Sequence, residues 1–175
     1  FTDSKIGTPG QFVGLDNYEW IIGDSKFQTA VFFTIFYTLV ASVIKFAVGL
    51  YLAILLNEKL PFKALIRAFV LIPFIVPTVL SAIAFWWIYD SQFSILSWML
   101  KKMGLITQNI DFLGDPNNAR ASVIFANIWR GVPSVAICLL ARLQTISPSY
   151  YAAASLDGAS GWQHCRYVTL RLLTP

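Results

Sequence analysis

Three long apolar runs constrain this sequence more than any other feature. They cover residues 31–56, 64–89 and 121–146, and each is longer than the roughly 20 apolar residues that a helix needs to cross a bilayer. Charged residues make up 13% of the chain, whereas a soluble domain carries about 25%. The runs therefore predict an all-α polytopic membrane protein, a transmembrane helix bundle of which this stretch supplies three spans.

Two of these runs contain prolines. Pro73 and Pro77 lie four residues apart in the second run, and Pro133 lies in the third. A proline removes a backbone donor, so each predicts a helix kink whose freed carbonyl groups must be satisfied by protein or by a cavity. Two interpretations stay open: the bends are structural, or their carbonyl groups line a translocation path.

Polar side chains also occur at membrane depth. Lys45 is the single charge of the first run, and the third run carries Asn127 and Arg130. Residues of this kind usually face the bundle interior or a water-filled cavity. The alternatives are a structural pairing with a carbonyl group or a partner chain and, for Lys45, a long side chain that reaches toward an interface.

The segments between the runs are polar and rich in turn residues. Residues 1–28 and 90–119 contain most of the acidic side chains, and residues 93–99 form a short amphipathic stretch that we expect at the membrane interface. Basic residues are distributed almost evenly over the two sides, so the positive-inside rule does not decide the orientation.

A polar stretch after the third run predicts two short helices joined by a sharp turn. Ser147 can cap the first helix, with Pro148 at its first position. Asp157 and Gly158 end that helix, Gly158 being free to take the left-handed conformation. Ser160 and Gln163 have the spacing of a capping box that starts the second helix. We call residues 147–171 the elbow.

Sequence patterns for catalysis, cofactors and metals are missing. No phosphate-binding Gly-x-x-x-x-Gly-Lys-Ser/Thr run occurs, and the single histidine, His164, has no second ligand at metal spacing. No serine lies in a nucleophile motif, and the net charge of +4 is too small to indicate nucleic-acid binding. We therefore expect a protein that is not an enzyme and that holds no cofactor or metal of its own.

The elbow resembles the EAA loop of binding-protein-dependent ABC importer permeases, most closely those of the sugar (maltose-like, carbohydrate) branch. The resemblance rests on Asp157-Gly158-Ala159 after an alanine run, on Trp162 and on residues 166–170. Residues 12–18 and 128–133 are similar to two further segments of that branch. The family's glutamate is Ala152 here, and its late proline is Arg171, so contacts of the loop could differ from the family's norm.

This resemblance implies a function and a set of partners. The chain would be a periplasmic segment, residues 1–28, followed by a partial ABC transmembrane domain, residues 29–175, without the first and the last two helices. The elbow would be cytoplasmic and would dock on a nucleotide-binding ATPase subunit, which uses the ATP. The coupling residues would be Ala152, Ala153, Ala154, Asp157, Gly158 and Ala159.

The same resemblance implies import of a sugar or related solute by alternating access in the bacterial inner (plasma) membrane. The further partners would be a second permease subunit, a periplasmic or extracellular solute-binding protein and membrane lipid, with no nucleic acid. The alternative reading of the membrane runs is a secondary transporter or channel subunit that needs no ATPase.

Overall fold

The computed structural model describes residues 1–3, 7, 10–58 and 61–173. Parts of the predicted periplasmic segment (4–6 and 8–9) and of the predicted transmembrane domain (59–60 and 174–175) lie outside the described residues. The chain forms two compact units, Phe1–Val40 and Ala41–Pro175. In the first, an antiparallel bridge between Thr2 and Phe12 precedes helix α1, Asp16–Gly23, and the start of α2.

Among the described residues, two single helices are long and apolar enough to cross a membrane, α2 (Ser25–Asn57) and α6 (Pro116–Leu143). Helix α2 begins before the predicted first span because the Asp24 carboxylate accepts a hydrogen bond from the Lys26 backbone. Helix α6 likewise begins before the predicted third span, because Asp115 accepts hydrogen bonds from the two backbone N–H groups of residues 117 and 118. The prediction of an all-α polytopic membrane protein is confirmed.

The second apolar run forms two helices instead of one continuous helix. Helix α3 covers Lys63–Ile75, α4 covers Thr78–Ile88, and their axes bend by 86°. Val76 between them is extended, with ψ of 128°, as expected for a residue that precedes a proline. Pro77 is the residue before the first turn of α4, and Pro73 lies inside α3. This arrangement corresponds to a broken span or a re-entrant loop.

Helices α2 and α6 pack closely through small residues. Ala41, Gly49 and Ala53 are buried on α2 at intervals of whole helical turns. A Cβ atom at position 49 would lie 2.8 Å from Val135 Cγ1 and 3.3 Å from the Ala136 backbone nitrogen. Small residues allow such close approach between membrane helices, where dispersion contacts replace the hydrophobic effect as the main driving force.

The C-terminal halves of the same helices contain the hydrophobic core. Ala53 and Leu56 of α2 pack against Leu140 and Leu143 of α6, and half-buried residues of α3 complete this cluster. Leu173, at the end of the chain's last helix, also contacts it. The chain therefore contacts the same packed core just before the elbow and just after it.

Helix α5, Ile95–Lys102, lies between α4 and α6 in the sequence. The end of α4 is joined to α6 by a buried hydrogen bond, in which the Tyr89 hydroxyl donates to the Ser122 carbonyl over 3.1 Å. The remaining elements contain the elbow, and the last of them extends two residues beyond it: α7 (Pro148–Leu156), α8 (Gly161–Gln163), a π-helical turn (His164–Thr169) and α9 (Leu170–Leu173).

Candidate functional site

The first arm of the elbow, α7, begins and ends as its sequence predicts. The Ser147 hydroxyl accepts a hydrogen bond from the Ser149 backbone, and Pro148 occupies the first turn. At the other end, the Gly158 backbone donates to the Ser155 carbonyl and the Ala159 backbone donates to the Ala154 carbonyl. These two bonds form a Schellman motif, which satisfies carbonyl groups that the end of a helix leaves free.

Gly158 adopts the conformation that this motif requires. Its φ of +75° lies in the left-handed region, which costs an ordinary L-residue about 1–2 kcal/mol. The prediction of a glycine-dependent helix stop is confirmed.

The second arm begins with a complete capping box. The Gln163 backbone donates to the Ser160 hydroxyl, and the Ser160 backbone donates to the Gln163 side chain over 2.6 Å. The chain then stays helical from α8 through the π-helical turn into α9. Arg171 lies inside α9, so the position where the family has proline does not interrupt this arm.

Two side chains join the arms to each other. The Tyr151 hydroxyl lies 3.1 Å from the Thr169 hydroxyl, and Thr169 is buried. The Tyr151 ring also lies 6.1 Å from the His164 ring. A cavity of about 240 Å³ separates the arms from the end of α2; its lining includes Asn57, Glu58, Tyr151, His164 and Cys165. The contact between the Tyr151 and Thr169 hydroxyl groups was not predicted from the sequence, because no local pattern pairs a tyrosine with a threonine in another helix.

The predicted coupling residues occupy the surface of the elbow. Ala152, Ala153, Asp157 and Gly158 are exposed, whereas Ala154 and Ala159 are half-buried. A short helix with small side chains at its surface can approach a partner's backbone closely. The arrangement is therefore suitable for docking into a cleft.

A second polar feature lies between the two long helices. The Lys45 ammonium donates a hydrogen bond to the Asn127 side-chain oxygen over 3.0 Å. The Lys45 chain passes over Gly131, where a Cβ atom would lie 2.5 Å from Cδ. The structure thus brings together two of the three polar residues predicted at membrane depth.

The third of these residues, Arg130, has a different environment. Its Nε atom is buried and has no hydrogen-bond partner within the described part of the chain. Pro133, three positions later, lies inside the continuous helix α6, and the Ser134 hydroxyl donates to the Gly131 carbonyl over 2.8 Å. In the ranges that the structure covers, no three His, Cys, Asp or Glu side chains form a group that could hold a metal ion.

Replacing Asn127 with leucine is expected to lower the unfolding temperature of the full-length protein. The change leaves the Lys45 ammonium without its acceptor, at a cost of about 1–3 kcal/mol. Adding Lys45→Met should recover most of this loss, since replacing both partners by apolar groups removes the unsatisfied charge. Thermal unfolding in detergent would measure both variants. Additive losses in the double variant would contradict a direct interaction.

Comparison with known proteins gives consistent results for the sequence and the fold. Residues 45–175 match the family described as the binding-protein-dependent transport system inner membrane component. The trehalose/maltose transport system permease protein MalF of Thermococcus litoralis is 35% identical over 164 residues, which are 94% of this chain and 55% of that protein. The trehalose transport system permease protein SugA of Mycobacterium tuberculosis is 31% identical over 98% of this chain and 55% of that protein.

A solved structure has a similar fold. It is the bacterial alginate ABC transporter in complex with an alginate pentasaccharide-bound periplasmic protein, with a TM-score of 0.84 and 25% identity. The match covers 94% of this chain and 57% of the matched chain. The chain spans about half the length of the curated relatives it matches.

Proposed function

The chain belongs to the family of binding-protein-dependent transport system inner membrane components, and from that premise we propose that it forms part of the permease subunit of an ATP-driven importer. Its long apolar helices place it in the membrane. In this function the bundle alternates between two arrangements that open to opposite sides, and binding events shift the balance between them. This chain contributes to the binding and passage of the solute, and a partner subunit hydrolyses ATP.

The solute is a sugar or a related molecule. This assignment is supported by the names of two relatives, which are permeases for trehalose and for trehalose or maltose. The similar alginate transporter was solved with a saccharide-bound periplasmic protein. The relevant partner on the outer side is accordingly a saccharide-binding protein.

The elbow connects the bundle to the ATPase subunit. The observation that carries this role is the Schellman turn at 154–159, because it presents the Asp157-Gly158-Ala159 pattern at an exposed tip. The contacting residues are those at the surface of α7 and its turn: Ala152, Ala153, Ala154, Asp157, Gly158 and Ala159. This role makes the elbow cytoplasmic, and residues 1–28 and 90–119 then face the periplasm.

The proposed importer contains a permease subunit besides this one. A second permease subunit supplies the other half of the translocation pathway. The candidate polar residues that this chain contributes to the pathway are Lys45, Asn127 and Arg130. The alternative, a secondary transporter or channel, predicts paired broken helices in internal repeats. The described residues contain a single pair of this kind, α3 with α4.

Purification from native membranes tests the proposed function. A tagged full-length protein should retain a nucleotide-binding subunit, and proteoliposomes of this complex should take up labelled trehalose or maltose only with hydrolysable ATP and the binding protein. Uptake driven by an ion gradient without ATP would favour the secondary transporter. ATP-driven uptake that excludes saccharides would overturn the solute assignment alone.

A further inference from the structure

The segment of helix α5 directs two serine side chains toward the protein and exposes several large apolar side chains. Ser97 is fully buried and Ser94 is 3% exposed, whereas Trp98 is 59% exposed. Leu96 and Leu100 of the same helix are half-buried. Five other large apolar side chains of this segment are exposed: Phe93, Ile95, Met99, Met103 and Leu105. A helix at a water-facing surface usually covers its large apolar side chains and exposes polar ones, whereas this helix leaves Ile95, Trp98 and Met99 exposed.

The two serines hold the helix in this orientation. The Ser94 hydroxyl donates to the Ile88 carbonyl at the end of α4 over 2.8 Å. The Ser97 hydroxyl accepts from the Ile110 backbone over 3.2 Å. Hydrogen bonds on both sides of α5 therefore point its serine side inward, and the outward position of Trp98 follows from them.

The surroundings of α5 identify the medium that its apolar side contacts. The helix follows α4 directly and precedes α6, so it lies at the end of α6 opposite the elbow. Trp86 and Trp87 are exposed at the end of α4, and tryptophan is enriched where membrane spans meet the headgroup region. Trp98 of α5 is a further exposed tryptophan in the segment that follows α4.

Basic residues border the apolar face. Lys101 and Lys102 form the last turn of α5, and the Lys102 ammonium lies 6.0 Å from the centre of the Trp98 ring. Near an apolar face, lysine side chains keep their stems on apolar surface and direct their ammonium groups to the polar layer. The natural counter-ions in that layer are lipid phosphate groups.

We propose that α5 is an interfacial anchor that lies in the headgroup layer of the bilayer. Phe93, Ile95, Trp98, Met99 and Met103 insert at the boundary of the acyl chains, and Lys101 and Lys102 bind the phosphate groups of anionic phospholipids. The anchor fixes the end of the bent α3–α4 pair relative to the membrane surface. It does not depend on which solute is transported.

Depth measurements on the purified full-length complex in lipid nanodiscs test the insertion. A nitroxide would be attached to Met99→Cys or, as a control, to Gln108→Cys, in a background without other reactive cysteines. Both positions are exposed on the protein. The label at 99 should be accessible to oxygen and protected from a water-soluble nickel relaxant, and the label at 108 should show the opposite. Equal access of the nickel reagent to both labels would overturn the anchor and make this face a protein-docking surface.

Lipid composition tests the role of the lysines. In nanodiscs with about 30% phosphatidylglycerol, Lys101→Gln with Lys102→Gln should raise nickel access at position 99 severalfold. In pure phosphatidylcholine the same substitutions should have a smaller effect, because the attraction of basic side chains to anionic headgroups is then missing. An identical response in both lipids would overturn anionic headgroup binding.

Discussion

Replacing Gly158 with valine is expected to abolish ATP-driven uptake while leaving the membrane bundle folded. The residue has φ of +75°, a region that costs ordinary L-residues about 1–2 kcal/mol and that is a genuine outlier for a β-branched side chain. The turn would then leave this conformation, and the bonds at the end of α7 would be lost. The tip would no longer present Asp157 and Ala159 to the ATPase subunit, so uptake should fall at least tenfold.

Matched substitutions separate conformation from side-chain size. Gly158→Asn should keep much of the activity, because asparagine tolerates the left-handed region. Gly161→Ala lies in the same elbow, in open space and at an ordinary φ, so it should behave like the wild type. Solute-stimulated ATPase activity and retention of the ATPase subunit would be measured beside uptake. Full coupling in Gly158→Val would show that the turn is not the docking element.

Enlarging Gly49 is expected to have the largest effect on stability. A Cβ atom there already meets Val135 Cγ1 at 2.8 Å and a backbone nitrogen at 3.3 Å, and only the side chain can move aside. Overpacking of this kind costs about 1–3 kcal/mol, so Gly49→Ala should lower the unfolding temperature by several degrees. Gly49→Leu adds three more heavy atoms to the same contact and should prevent α2 and α6 from packing.

A compensating change identifies the contact that is responsible. Val135→Ala removes Cγ1, the atom nearest to the added Cβ, and keeps the Val135 Cβ at 3.0 Å. Gly49→Ala with Val135→Ala should therefore regain part of the stability lost by Gly49→Ala alone. Size-exclusion profiles and thermal unfolding of the full-length protein in detergent would follow all variants. A Gly49→Leu protein that unfolds at the wild-type temperature would contradict the close packing of these helices.

Local signals allowed much of this structure to be predicted. The caps at Ser147, Gly158 and Ser160 depend on residues within one turn of the chain, and the structure contains each of them. Hydropathy likewise identified α2 and α6. The helix starts were less predictable, because Asp24 and Asp115 begin helices in segments that composition assigns to turns.

Long-range features could not be predicted in the same way. The prolines of the second run predicted a bend, but not its angle of 86° or the contact of α3 with α6. Lys45 and Asn127 are far apart in sequence, and each had several plausible partners. Gly49 carried a detectable signal, since Ala41, Gly49 and Ala53 share one helical face. The coupling roles of the elbow residues stay predictions.

The hydrogen bond between Tyr151 and Thr169 has a mechanical consequence. Because it ties the first arm to the second, and α9 packs on α6, the elbow and the helix that precedes it form a closed frame. Bending of either arm would break the Tyr151–Thr169 hydrogen bond or the contact between α9 and α6. In the proposed coupling role, a displacement of the tip would therefore reach α6 by two routes, along the chain at Ser147 and through the contact of α9 with α6.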